Sequence, residues 1–349
     1  MIIIILLFII VFLYLLTLIN ETFKNTSNKY YLINVKGYFK DNMKAWDLYK
    51  YFNNEDLFTV LTLDLQETKN FFTNNNNKVI LLNDNRKAHN ELILHASKLN
   101  NNKYVFIFGD WWTSHIGYDR EYNNNIIKLV NSNTKKNIEY FLNFKLKRNY
   151  VRIFNPWSCY DKSFVCFNKN PINKILVSGR GVNEEIEFYP DRFKLSKFNK
   201  YQISLKKFNK NYVKSLSKEY LTNDYSTYLN KYICCFASST YRYNYTEKKI
   251  VNTKCILLKN FEILATGSLL LNPLIEKPYL EKIGLIEDVN CMFIDMSDDK
   301  KIKDKIDFIL NARNRKFIDK VRKAGQDHGR KNLNSKKKYE ELKNIILKL

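Results

Sequence analysis

The stretch Leu258-Lys259-Asn260-Phe261-Glu262-Ile263-Leu264-Ala265-Thr266-Gly267-Ser268-Leu269-Leu270-Leu271-Asn272-Pro273 carries residues that could do chemistry, spaced as a short helix, a glycine stop and a buried strand. A helix N-terminus offers unpaired backbone N–H groups and a partial positive charge, both suited to a diphosphate. Lys259 adds a full charge beside them. Glu262, one turn further in, can accept two hydrogen bonds from a ribose diol. The plainer alternative is an amphipathic helix with a surface Glu and a capping Gly, and spacing alone leaves both open.

Three other places could line the same site. Ser178-Gly179-Arg180-Gly181, followed by Tyr189-Pro190-Asp191-Arg192, combines glycines that let a loop approach a phosphate with arginines able to neutralise a departing diphosphate. A turn needs glycine in any case. Asp110-Trp111-Trp112-Thr113-Ser114-His115 offers two proton acceptors, Asp110 and His115, beside tryptophans that could stack on a sugar. The alternative there is an Asp helix cap with a core Trp pair. Ser238-Ser239-Thr240-Tyr241-Arg242 could line a nucleobase or a phosphate, or form a polar turn.

Positioning these groups requires a sheet. Apolar strand-like runs at Tyr30–Val35, Leu57–Leu63, Lys78–Leu82, Tyr104–Phe108 and Tyr150–Phe154 alternate with helical patterns at Asn42–Phe52 and Lys87–Leu99. The alternation restarts at Lys174–Val177 and continues through Tyr201–Leu205, Tyr232–Phe236 and Leu269–Leu271, ending in a helical tail from Lys301. Strands alternating with helices predict α/β units with parallel sheets covered on both faces. Ligands then bind beyond the carboxyl ends of the strands. The pattern divides the chain into an N-terminal unit, residues 30–160, and a C-terminal unit, residues 173–349.

Ahead of both, residues 2–19 form an apolar run about long enough to span a bilayer as a helix. It lacks the basic start and small-residue cleavage site of a signal peptide, so a permanent anchor is expected. Lysines follow the run and none precedes it, which predicts a cytoplasmic globular part.

The 349 residues carry a formal charge of +23, but the lysines are interleaved with Asn, Tyr, Ile and Phe along the whole length rather than gathered in one patch. No nucleic-acid partner is therefore expected. Six cysteines without a CxxC pair and four scattered histidines show no metal-ligand spacing, so free thiols and no metal are expected.

Lys259, Phe261, Glu262, Ala265, Gly267, Leu269 and Leu270 match a "K/R-x-F-E-x-x-A-x-G-x-L-L" pattern, and the segment resembles the donor-site helix of group 1 (family 4-like) glycosyltransferases and their spore-maturation-protein-like relatives. The likeness extends over roughly residues 174–349, including a "S-G-x…Y-P-x-R" run. It implies the GT-B architecture of two facing Rossmann-like domains, here preceded by the transmembrane helix, with Glu262 on the nucleotide ribose. Many members carry a second Glu eight residues earlier, on the donor sugar. That position is Lys254 here, so the sugar cannot be carried over.

The resulting expectation is a membrane-anchored glycosyltransferase, moving a sugar from a nucleotide-sugar to a hydroxyl acceptor on a glycan, lipid or protein. Asp110 and His115 would be catalytic, and Gly179, Arg180, Arg192, Ser238, Lys259, Phe261, Glu262 and Gly267 would hold the donor. No metal is expected and the nucleotide-sugar is a co-substrate. The alternative is a non-catalytic, membrane-tethered basic protein that binds an anionic polymer.

Overall fold

In the computed structural model, the residues described are 30–36, 49–82, 86–108, 126–130, 151–178, 186–198, 202–206, 223–244 and 248–349. They build two wholly parallel sheets. The first holds β1 (Tyr30–Val35), β2 (Phe58–Leu63), β3 (Val79–Leu82), β4 (Lys103–Phe108), β5 (Ile126–Val130) and β6 (Val151–Ile153), in the order β2-β1-β3-β4-β5-β6. The second holds β7 (Ile172–Ser178), β8 (Ile203–Lys206), β9 (Tyr232–Phe236), β12 (Leu269–Pro273) and β13 (Met292–Ile294), in the order β13-β12-β9-β7-β8. Between β9 and β12 the chain inserts an antiparallel pair, β10 (Tyr241–Asn244) and β11 (Lys249–Asn252).

Successive side chains of a strand point to opposite faces, so a sheet covered on both sides needs continuous apolar runs. The second sheet shows the consequence residue by residue. Leu176, Cys235, Leu270 and Phe293 join one cluster, with Phe261, Ile263, Leu264 and Leu229 of the covering helices. Ile175, Val177, Cys234, Phe236, Leu269, Leu271, Met292 and Ile294 face the other way, against Ile302, Ile306, Ile309, Ile318 and Val321.

Helices α1 (Tyr49–Phe52), α2 (Leu65–Asn74) and α3 (Arg86–Ala96) belong to the first unit. A capping box starts α2, with Asp64 accepting from the Glu67 amide and Glu67 accepting from the Asp64 amide. The second unit contributes α4 (Pro190–Ser196), α5 (Asn223–Asn230), α6 (Leu258–Thr266), the short α7 (Lys277–Leu280), α8 (Asp299–Leu310) and α9 (Arg315–Asn332).

The last helix, α10 (Ser335–Leu347), returns to the first sheet. Its Tyr339, Leu342 and Ile346 are buried with Leu32, Phe52, Phe58, Leu81, Val105 and Leu129, and Lys343 Nζ pairs with Glu55 at 2.8 Å. The outgoing and returning chains meet where the Cys159 amide donates to the Leu333 carbonyl, 2.8 Å away. The segment that follows the last recognisable strand pattern in sequence thus completes the core of the unit that came first.

No described helix is long and apolar enough to cross a membrane, and the run at residues 2–19 lies outside the described residues.

Candidate nucleotide-sugar site at the carboxyl ends of the second sheet

In the second sheet β7 is flanked by β8 on one side and β9 on the other, so the connections leaving β7 and β9 part in opposite directions. Such a switch point opens a crevice beyond the strand ends, where α/β sheets take their ligands. Ser178 ends β7 and the turn Ala237–Thr240 follows β9. Helix α6 runs back over the sheet to enter β12, which brings its N-terminus to this same end.

The cap position of that N-terminus holds Leu257, which supplies no side-chain hydrogen bond. The Lys259 ammonium reaches across to β7, donating to the Ser178 carbonyl at 2.6 Å and meeting the Ser178 hydroxyl at 3.2 Å. Glu262 is only 5% exposed and forms no hydrogen bond among the described residues. Burial raises its pKa, opposed by the Lys259 charge. Burial, and then the Arg192 guanidinium, lower the pKa of Lys259, which Glu262 in turn supports. A buried carboxylate with acceptor capacity left over, beside a half-buried ammonium, is costly to fold and makes this turn the candidate for a ligand site.

Arg192, on α4, is buried; it donates from Nη2 to the Ser238 carbonyl at 2.9 Å, and its guanidinium lies 4.6 Å from the Tyr189 ring centroid. Ser238 is fully buried, and its hydroxyl has no hydrogen-bond partner among the described residues. The same holds for both amide atoms of Asn260, on the first turn of α6, and for Oδ1 of Asn272. Natural proteins leave few such atoms unpaired, and each asks for an explanation.

Lys259, Glu262, Arg192 and Ser238 therefore gather at one end of the sheet. Phe261 and Gly267 are placed elsewhere. Phe261, 1% exposed, packs into the core cluster beneath α6. Gly267 closes the opposite end of the helix, about 12 Å of helical rise from Lys259, at φ 73° with its N–H on the Leu264 carbonyl. The plainer reading of the glycine, a helix stop, is the one the geometry shows. Asp110, His115, Gly179 and Arg180 lie outside the described residues.

Glu276, and the contacts that Asn272, Asp191 and Tyr241 make around this crevice, are not evident from sequence. Glu276, 1% exposed, accepts from the Ser239 amide and, at 3.1 Å, from Asn272 Nδ2. Burial raises the pKa of its carboxyl, while the Ser239 and Asn272 donors favour the charged form. Tyr241 donates its hydroxyl to Asp191 at 3.0 Å; burial raises the Asp191 carboxyl to about 6 despite that bond. The available signal was Asn272 at the end of an otherwise apolar strand, where a polar side chain belongs at a strand mouth rather than in a core.

No protein-family model matches the chain, and no curated protein matches it in sequence. Solved structures do match in shape. HepE from Anabaena, crystallised with UDP-glucose, superposes with a TM-score of 0.58 at 8% identity over 92% of this chain and all of that one. The complex of HepE with UDP and glucose gives 0.59 at 8% identity with the same coverage. A glycosyltransferase from Rickettsia africae gives 0.56 at 9% identity over 92% of this chain and 98% of its own. Identities this low speak for architecture, and the chain has the fold of these proteins: two Rossmann-like α/β units of the GT-B type, each with a parallel sheet.

Proposed function

We propose that the chain is a glycosyltransferase that takes a nucleotide-sugar, of the UDP-hexose class, at the β7/β9 switch point and transfers the sugar to a hydroxyl acceptor. The observation that carries this reading is the juxtaposition, one turn apart on α6, of the half-buried Lys259 and the buried Glu262, whose carboxyl oxygens have no hydrogen-bond partner among the described residues. The α6 amides and Lys259 suit a diphosphate, and the Glu262 carboxylate suits the two hydroxyls of a ribose. The fold shared with HepE, which was crystallised with UDP and UDP-glucose, supports UDP as the nucleotide to try first.

In this reading catalysis comes from positioning both substrates and from stabilising the leaving diphosphate by fixed protein cations and amides, with Arg180 joining Lys259. No metal is assigned a part. Asp110 and His115, which follow β4 in sequence, would take the proton of the acceptor hydroxyl. Residues 2–19 anchor the enzyme in a membrane with the globular part on the cytoplasmic side, a reading supported by the apolar run and the lysines after it.

The test is a screen of nucleotide-sugars for hydrolysis or transfer, with thermal unfolding in UDP or GDP as a binding readout, since a ligand taken only by the native state raises its melting temperature. A folded Glu262→Ala variant with undiminished nucleotide binding and activity refutes the donor-site assignment. Salt-sensitive capture of anionic polymer with no nucleotide effect would instead indicate a basic binding protein.

A further inference from the structure

We propose that Glu276 is a positioning residue for the donor: it fixes the turn Ala237–Thr240 at the switch point, so that the Ser238 hydroxyl is presented to the nucleotide-sugar. The inference rests on the reading of this crevice as the donor site, and names a residue outside the likeness that suggested it.

The turn is pinned at every residue. The Ala237 amide donates to the Leu271 carbonyl at 2.9 Å, and the Ala237 carbonyl accepts from Asn272 Nδ2 at 2.9 Å. The Ser238 carbonyl accepts from Arg192. The Ser239 amide donates to Glu276 Oε1, and the Ser239 hydroxyl donates to the Cys255 carbonyl at 2.6 Å. Its proton being used there, the Tyr279 hydroxyl at 3.0 Å is the donor to Ser239 Oγ. The Thr240 carbonyl accepts from the Thr253 amide at 2.9 Å.

Glu276 is the hinge pin of this arrangement because it holds both the turn and the residue that grips the turn's other end. Oε1 takes the Ser239 amide, while Oε2 takes Asn272 Nδ2, the same amide group that holds the Ala237 carbonyl. Both carboxylate oxygens must accept, which a glutamine cannot do: its NH2 would meet one of two donors. A scaffold alone would be served as well by apolar packing, since a buried carboxylate is costly. What the network leaves over is the Ser238 hydroxyl, fully buried and without a partner among the described residues, at the strand end where the ligand is expected.

The test uses the full chain, titrated with UDP by calorimetry, together with hydrogen exchange of the peptide spanning 237–240. Glu276→Ala should speed exchange at the Ser239 amide and weaken UDP binding by about tenfold or more, the cost expected when a buried donor loses its acceptor. Glu276→Gln should fall between, and Ser238→Ala should weaken UDP binding while leaving Ser239 exchange as it is. If Glu276→Ala does not fold, the Gln variant decides. A folded Glu276 variant with native UDP affinity, in a protein whose native form binds UDP, overturns the role of Glu276 and leaves the donor site standing. A native chain that takes up no nucleoside diphosphate overturns the donor site itself.

Discussion

The Lys259 ammonium lies 2.6 Å from the Ser178 carbonyl oxygen, which fastens the first turn of α6 to the carboxyl end of β7. The two residues are 81 positions apart and meet only because β7 borders the switch point. A lysine held this way is already desolvated and oriented before an anion arrives, so little of its attraction is spent on ordering. Lys259→Met should weaken nucleoside diphosphate binding by about tenfold to a hundredfold, the range for hydrogen bonds to a charged group. Its melting temperature should also fall, because the buried Glu262 carboxyl loses its neighbouring cation and the Ser178 carbonyl its donor, so affinity is read on the folded protein. Calorimetric titration with UDP and a thermal scan check both halves.

Gly267→Ala separates a structural glycine from a ligand contact. Gly267 is left-handed at φ 73°, and an added Cβ would sit 3.0 Å from Phe167 Cδ2 and 3.2 Å from the Gln326 carboxamide. The left-handed backbone costs an L-residue about 1–2 kcal/mol before any crowding. Urea unfolding should show a loss of about 2 kcal/mol or more, while UDP affinity of the folded fraction stays within about twofold, since the residue closes the far end of α6. A selective loss of UDP binding without loss of stability would return Gly267 to the donor site.

The strands were readable from sequence wherever burial on both faces demanded an unbroken apolar run, as in Tyr232–Phe236 and Leu269–Leu271. The strand Ile126–Val130 escaped notice because Lys128 interrupts it, although the structure buries that lysine completely. The pair Tyr241–Asn244 and Lys249–Asn252 escaped because its polar, short strands carry no alternation strong enough to stand out. For the candidate site, Lys259 and Glu262 were legible because both stand on the first turns of one helix. Glu276 was not, because its partners Ser239 and Asn272 become neighbours only once β9 and β12 pair, Ser239 lying 37 positions away in sequence. Arg192 was legible as a charge near the site, but not as the donor that holds the Ser238 carbonyl.

Leu342→Ala probes the return of the C-terminal helix. Leu342 is fully buried in the core of the first sheet, beside Tyr339, whose ring meets Phe52 edge-on at 4.9 Å. Truncating a buried leucine costs about 2–5 kcal/mol, depending on how far the site collapses. The loss should register in chemical unfolding of the full chain and in faster amide exchange in Phe58–Leu63 and Val79–Leu82, strands more than 250 positions away in sequence. Exchange that rises only within Ser335–Leu347 would show that the helix is a detachable appendage.

Asp191 should make stability pH-dependent in a window set by its own shift. Burial raises its carboxyl from 3.8 to about 6, with the Tyr241 hydroxyl, Arg192 and Lys194 opposing. A folded pKa above the unfolded one means that the native state holds a proton the unfolded chain has released. The associated stability is therefore fully present below about pH 4 and is lost as pH rises through about 6. Two pKa units correspond to on the order of 2–3 kcal/mol. Asp191→Asn keeps an acceptor for Tyr241 but cannot titrate, so its stability relative to the native chain should rise by about that amount between pH 4 and pH 7. Urea midpoints of the two proteins, measured side by side across this range, isolate the contribution, because every other titrating group is common to both. A constant difference would mean that Asp191 titrates alike in the folded and unfolded chains, and that solvent reaches the carboxyl beneath Tyr241.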